Sequence, residues 1–356
     1  MEQVFAYAKE FGIQPVKAER FGGGHINLTY LVTDQNGDEY ILQCVNTHVF
    51  RDVDKLMSNI MKVTDFAIQY MESHGIDSSR RVLRYVRAGE RAYIPVEGGA
   101  WRCYHFIGKA QAYQIVEDPR HFYEAGRAFG KFQRMLAKFP AGELYETIPD
   151  FHNTVKRVEN LKKAIDSASE ERLQAAKEEI EFALSRTQYA SVVVDKLASG
   201  EIPLKVTHND TKFNNVLIDD ETGEGICVID LDTMMSGSSL YDFGDAIRFG
   251  CNPAAEDEKD LSKVHFSMPL FRQFATGYVE ALGKALKPNE RRILAFSAIL
   301  MTYECGTRFL TDFLEGDVYF RTTREGQNLD RCRTQFKLVT DMEKVIDEMQ
   351  AFIDKL

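Results

Sequence analysis

Between residues 202 and 232 the chain reads IPLKVTHNDTKFNNVLIDDETGEGICVIDLD, three short apolar runs with polar residues held between them at fixed offsets. This segment limits the possible folds more than any other. Short runs rich in Val and Ile and bounded by turn residues predict strands. A polar loop clamped between strands presents its side chains from fixed backbone positions. The loop carries His208, Asp210 and Asn215 in the spacing H-x-D-x-x-x-x-N, and the run ICVIDLDT ends abruptly on Asp230 and Asp232.

The surroundings divide into two styles. From 20 to 45 the chain alternates strand and turn signals: Gly22, Gly23 and Gly24, then LTYLV, the turn DQNGD, and YILQCV. Val53 to Met71 follows helical spacing, and strand-turn-strand candidates follow at Val82 to Tyr85, Ala92 to Val96 and Trp101 to Ile107. From Asp118 helical spacing dominates. Residues 154–197, rich in Lys, Glu and Ala, predict exposed helices, and Phe336 to Ile353 a terminal amphipathic one. The expected architecture is α+β and two-lobed, with a β-rich lobe over 1–107, a mainly helical lobe over 108–356, and a ligand site at the junction.

Composition narrows the function classes. Lys and Arg number 44 against 54 Asp and Glu, a formal charge of −10, which makes nucleic acid and anionic membrane poor partners. The six cysteines include no C-x-x-C, and no Cys/His spacing suits zinc, so reduced cysteines in a cytoplasmic protein are expected. No apolar run approaches the length of a membrane span. No residue pattern sets an oligomeric state.

Asp210, Asn215 and Asp230 together offer one acceptor for a hydroxyl proton and two oxygen ligands for a hard cation such as Mg²⁺. Those are the parts phosphoryl transfer requires. The loop and the strand-end Asp resemble the catalytic and metal loops of protein kinases. With Asn209 before the Asp and no A-P-E segment, the chain resembles the aminoglycoside phosphotransferase family of small-molecule kinases. More finely, GGGHINLTYLV, THNDTKFNNVL, VIDLDTMM, DFGDAIRFG, ECGTRFL and LEGDVYF resemble N-acetylhexosamine 1-kinases within that family.

The resemblance implies an ATP- and Mg²⁺-dependent kinase that phosphorylates a small sugar, an N-acetylhexosamine, at its C1 hydroxyl. Asp210 is then the catalytic base, Asn215 and Asp230 the metal ligands, and His25, Phe249, Arg308 and Tyr319 the sugar contacts. Lys212 is a candidate for neutralising the transferred phosphoryl group, with a solvated surface Lys as the alternative. Gly22, Gly23 and Gly24 are expected over the ATP phosphates or, failing that, in a plain tight turn. Backbone groups of His105, Phe106 and Ile107 are expected beside the adenine. For Arg308 an ion pair with Asp312 is the competing account.

Two departures stand out. Gln43 occupies the strand position where kinases carry a phosphate-binding Lys, and Val53 to Met71 has no Glu to pair with one. The chain is therefore either a kinase that holds ATP by other means, with Gln43 at that site, or a non-catalytic nucleotide- or sugar-binding protein. Kinases of the same fold acting on aminoglycosides, choline or homoserine are further alternatives. Asp242-Phe243-Gly244 spells D-F-G, yet no apolar strand precedes it, so Asp242 and Asp245 are expected to support a helix start. The run EDEKD, 256–260, reads as a solvated helix start.

Overall fold

The computed structural model describes residues 2–22 and 27–356. Gly23, Gly24 and His25 lie outside the described residues. Helix α1 (Glu2–Glu10) precedes strands β1 (Pro15–Arg20), β2 (Leu28–Asp34) and β3 (Glu39–Asn46), helix α2 (Val53–Ser73), then β4 (Tyr85–Val86), β5 (Ile94–Val96) and β6 (Gly99–His105). The strands form one antiparallel sheet in the order β1-β2-β3-β6-β4, with β5 also on β6.

The DQNGD turn closes β2 onto β3. The Asp34 carboxylate accepts from the backbone N–H groups of Asn36 and Asp38, and Gly37 takes a positive φ. Helix α1 lays Val4 and Ala8, with Phe11 just after it, against Val32, Leu42, Trp101 and Cys103 to make a small core. Helix α2 is capped by Asp52, whose side chain accepts from the Lys55 N–H. Its Leu56, Met57, Ile60, Val63 and Ala67 belong to the large core formed with the helical body.

That body holds β7 (Ala110–Gln111), α3 (Pro119–Met135), α4 (Thr154–Ser167), α5 (Glu170–Ala175), α6 (Lys177–Leu184), α7 (Ser191–Ala198), β8 (Lys205–Thr207), β9 (Val216–Asp219), β10 (Gly225–Val228), β11 (Met235–Gly237), α8 (Ser239–Gly250), α9 (Met268–Leu282), α10 (Pro288–Arg291), α11 (Leu294–Glu315) and α12 (Gln327–Lys355). Two small sheets, β10-β9-β7 and β11-β8, are set among its helices.

Two expectations fail locally. Val82 to Tyr85 is not a full strand, because pairing begins only at Tyr85. Val82 and Leu83 are buried in the large core as irregular chain. A short apolar run signals burial without specifying a strand. The EDEKD run is a loop, not a helix start. Glu256 accepts from Arg248, and Asp257 from Arg324 and Gln327, so side-chain partners hold its acids in place. Among the described residues, no helix is long and apolar enough to cross a membrane. All six cysteines are free.

Candidate active site

The polar loop between β8 and β9 is fastened from three sides. His208 Nε2 lies 2.8 Å from the Ile229 carbonyl, and its Nδ1 accepts from the Asp210 N–H at 3.3 Å. One neutral tautomer satisfies both bonds. The Asn209 side chain donates to the Thr233 carbonyl at 2.8 Å, and the Thr233 hydroxyl donates to the His208 carbonyl at 2.7 Å. Asn209 and Asp230 both take positive φ, 65° and 60°. Such conformations cost energy in residues other than Gly and persist where the surroundings over-determine them.

Below the loop sits Asp242, in the first turn of α8. It is buried, and its carboxylate accepts from the N–H groups of His208 (3.0 Å) and Asn209 (2.9 Å) and from the Gln133 side chain (2.7 Å). Asp245 accepts from the Thr211 N–H at 3.0 Å and pairs with Arg248 at 2.9 Å. Each letter of D-F-G therefore has a structural use. Asp242 carries the loop, Phe243 is fully buried, and Gly244 lets α8 touch α11. A Cβ on Gly244 would lie 2.3 Å from the Ser297 carbonyl oxygen. Gly244→Ala is expected to cost about 1–3 kcal/mol, as overpacking does, measured by denaturant unfolding. An unchanged unfolding midpoint would contradict this packing.

Asp210 is held among polar partners. Lys212 Nζ lies 2.9 Å from its Oδ1, and Asn215 Nδ2 donates to its carbonyl at 2.7 Å and to its Oδ2 at 3.2 Å. Burial works against the Lys212 charge, but Asp210 and then Asp245 outweigh it and hold the ammonium above its usual pKa. Lys212 is thus paired with Asp210 while its side chain remains 38% exposed.

Asp230 has no hydrogen-bond partner among the described residues and is exposed to solvent. Although the side chain reaches solvent, the protein packed around it, and then Asp232 and Asp210, push its carboxyl above the usual carboxylate range. Excess negative charge beside Asn215 is the setting a cation relieves. With its Nδ2 given to Asp210, Asn215 keeps its amide oxygen as a ligand. The donor set thus suits a hard ion that takes its remaining ligands from phosphate and water. Among the described residues there is no group of three or more His, Cys, Asp or Glu that would cage a metal unaided.

Gly22 takes φ 71°, a conformation open to glycine. The expectation for 105–107 narrows. The His105 and Phe106 N–H groups already donate to the carbonyls of Arg84 and Glu39, both at 3.0 Å. The Ile107 N–H has no acceptor among the described residues. The Gln43 side-chain oxygen accepts from Arg102 and its nitrogen donates once, to Thr29, within the sheet.

The Arg308–Asp312 pair does not form. Asp312 is buried and accepts from the N–H groups of Val318, Tyr319 and Phe320. The Arg308 guanidinium has no carboxylate partner among the described residues. It lies over the Phe151 and Phe320 rings, 5.5 and 5.4 Å from their centroids. Tyr319 is 67% exposed beside Phe320, whereas Phe249 is half-buried against the large core.

Sequence reasoning missed a buried link between this region and the loop. His152 Nδ1 lies 2.7 Å from Glu304, and its Nε2 lies 3.4 Å from the Asn209 carbonyl. Burial alone would raise the Glu304 carboxyl pKa, but His152 and Thr154 hold it below the usual range. Glu304 is one helical turn from Arg308 on α11. A cavity of about 410 Å³ opens beside Asn209, with Phe151, His152, Met235 and Tyr241 in its lining and the exposed Glu146 and Asp150 at its edge.

The model of the phosphotransferase enzyme family, APH, matches residues 17–293. The chain belongs to this family. Solved structures share the fold of this APH-family protein at low sequence identity. An aminoglycoside phosphotransferase from Alicyclobacillus acidocaldarius superposes with a TM-score of 0.63 at 12% identity, over 99% of this chain and 96% of that one. An amicoumacin kinase in complex with AMP-PNP, Ca²⁺ and Ami gives 0.60 at 15%, over 98% and 94%. The ethanolamine kinase of Plasmodium vivax gives 0.54 at 15%, over 90% and 82%. The two-lobed α+β architecture follows from these likenesses, and the activity class, a small-molecule phosphotransferase, from the family.

Proposed function

We propose that this APH-family protein transfers the γ-phosphoryl group of ATP to the C1 hydroxyl of an N-acetylhexosamine, N-acetylglucosamine or N-acetylgalactosamine. The observation that carries the reading is the grouping of Asp210 with Lys212 and Asn215, next to an unpartnered Asp230. In this reading residues 1–107 bind nucleotide and 108–356 bind acceptor. Asp210 orients the acceptor hydroxyl and takes its proton as the oxygen attacks phosphorus, while Lys212 stands beside the developing charge. An anomeric hydroxyl is more acidic than an ordinary alcohol, which suits a carboxylate base. Asn215 and Asp230 would hold Mg²⁺, which neutralises the phosphate oxygens it touches.

The C1 and acetamido assignments rest on the sequence resemblance, with Arg308, Tyr319, Phe249 and His25 toward the sugar. Arg157 lies close enough to Arg308 that its pKa falls, through burial first and then the Arg308 charge. Two cations near one another would disfavour a polycationic acceptor at that end, offset in part by the Glu304 and Asp150 carboxylates that act on Arg157 in the opposite direction. The Glu146 and Asp150 carboxylates at the cavity edge suit an amine instead, so amine acceptors form the second reading.

ADP release across sugars, amino alcohols and aminoglycosides separates the readings, and phosphorus–proton coupling in the product identifies the atom modified. Coupling to H1 is expected. A 6-phosphate, or activity confined to amines, would refute the sugar 1-kinase assignment and leave the family standing. Arg308→Ala should raise the acceptor KM by about 10–100-fold, the size of a lost charged hydrogen bond, with the ATP KM nearly constant. Equal effects on both substrates would remove Arg308 from the acceptor site.

A further inference from the structure

Arg102 is a buried cation in the middle of β6, 2% exposed. It lies directly opposite Gln43 in the β3–β6 register. Its Nε donates to the Gln43 side-chain oxygen at 2.9 Å, and its Nη2 donates to the same oxygen. Its Nη1 donates to Asp232 Oδ1 at 2.5 Å. Asp232, 3% exposed, uses its other oxygen to accept from Asn27 at 2.7 Å, and the Asn27 side-chain oxygen accepts from the Asn46 N–H at 3.0 Å. Gln43 is itself anchored by its bond to Thr29 at 2.9 Å. One network therefore joins β2, β3 and β6 to the chain two residues beyond Asp230.

In protein kinases one Glu on the helix both orients the strand Lys and ties the helix to the cleft. Here those two tasks are separate. A guanidinium presents a rigid fork, so Gln43 on the adjacent strand can orient Arg102 while the same group grips a carboxylate. The helix is tied independently. Asn59 of α2 donates to the carbonyls of Met234 (3.0 Å) and Tyr145 (2.8 Å). Both ties reach the 230–235 segment, and neither needs a Lys at 43 or a Glu in α2.

We propose that Arg102 replaces the kinase strand Lys as a positioning residue, fixing the metal-binding Asp230 through Asp232 and so setting how strongly the metal assists nucleotide binding. The inference rests on the nucleotide and metal reading given above. It assigns Arg102 no contact with the substrate. It also accounts for the joint loss of the Lys and the Glu, because the orienting group has moved from the helix to β3.

The test is calorimetric titration of the whole protein with AMP-PNP, once with Mg²⁺ and once with EDTA, so that no acceptor is needed. For the unmodified protein Mg²⁺ should tighten binding. In Arg102→Lys, which keeps the charge and loses the fork, this metal-dependent gain should fall by about tenfold, with metal-free affinity within about twofold. Gln43→Ala leaves the buried ion pair intact and should reduce the gain by about threefold. If Arg102→Lys does not fold, Gln43→Ala decides the matter. A full metal-dependent gain in a folded Arg102→Lys, or in Gln43→Ala, overturns the inference alone. The same holds if the variants lower only the melting temperature, because a merely structural ion pair would do that. No binding of AMP-PNP by the unmodified protein, with or without Mg²⁺, sinks the nucleotide reading and the inference with it.

Discussion

Asp210→Asn is expected to lower kcat by about 10²–10⁴-fold, the range for loss of a positioned base, while the folded state stays intact. The substitution keeps the volume and removes the proton acceptor. Its structural cost is small. The Asp210 side chain is a quarter exposed, and its Lys212 partner is itself 38% exposed, so the ion pair is partly screened. The backbone bonds that shape the loop come from Asp242, Thr233 and Ile229 and survive the change. Steady-state kinetics beside a melting curve check both halves. Near-normal turnover with any acceptor that the unmodified protein accepts would remove Asp210 from the chemistry.

The second large effect is a contrast between two aspartates. Asp230→Asn should abolish Mg²⁺-dependent turnover and leave the melting temperature unchanged or higher, because the site crowds that carboxylate with Asp232 and Asp210. Asp242→Asn should act through the fold. Burial already pushes this carboxyl up despite its donors. An amide would turn an NH₂ toward at least one N–H that the carboxylate now accepts. A loss of about 2–3 kcal/mol is expected, with turnover falling because His208 and Asn209 lose their support. Unfolding curves and Mg²⁺ titrations on both variants decide this. If Asp242→Asn removes the metal requirement while Asp230→Asn retains it, the roles are reversed.

What the sequence made legible was local. The H-x-D-x-x-x-x-N spacing, the strand-end Asp230 and the DQNGD hairpin each lie within a few residues of the features that identify them. Support residues separated by long stretches of chain were hidden. Arg102 and Asp232 are 130 residues apart, and His152 and Glu304 are 152 apart. No spacing rule connects such partners. Arg102 did carry one faint signal, a charge between Trp101 and Cys103 in a stretch buried on both faces, where a cation needs a partner. Gln43 and the lack of a Glu between Val53 and Met71 were legible as departures, although α2 runs on to Ser73 and includes Glu72, 3.9 Å from Arg84. The proposed replacement lay on a neighbouring strand, where only the β3–β6 register reveals it.

Helix α2 has one further consequence. Its apolar stripe is shared with the helical body and with Val45 and Ala100 from the sheet, and Asn59 is bonded to two backbone carbonyls outside the helix. A helix held on so many sides is expected to keep one position, so that the lever by which protein kinases are turned on and off at this place would stay in one setting. Amide exchange should show it, with Ile60 to Ala67 as slow as the centres of α3 and α9 whether or not nucleotide is present. Slow exchange with and without nucleotide is the expected signature of a site assembled before ligand arrives; exchange in α2 that slows only when nucleotide binds would contradict it.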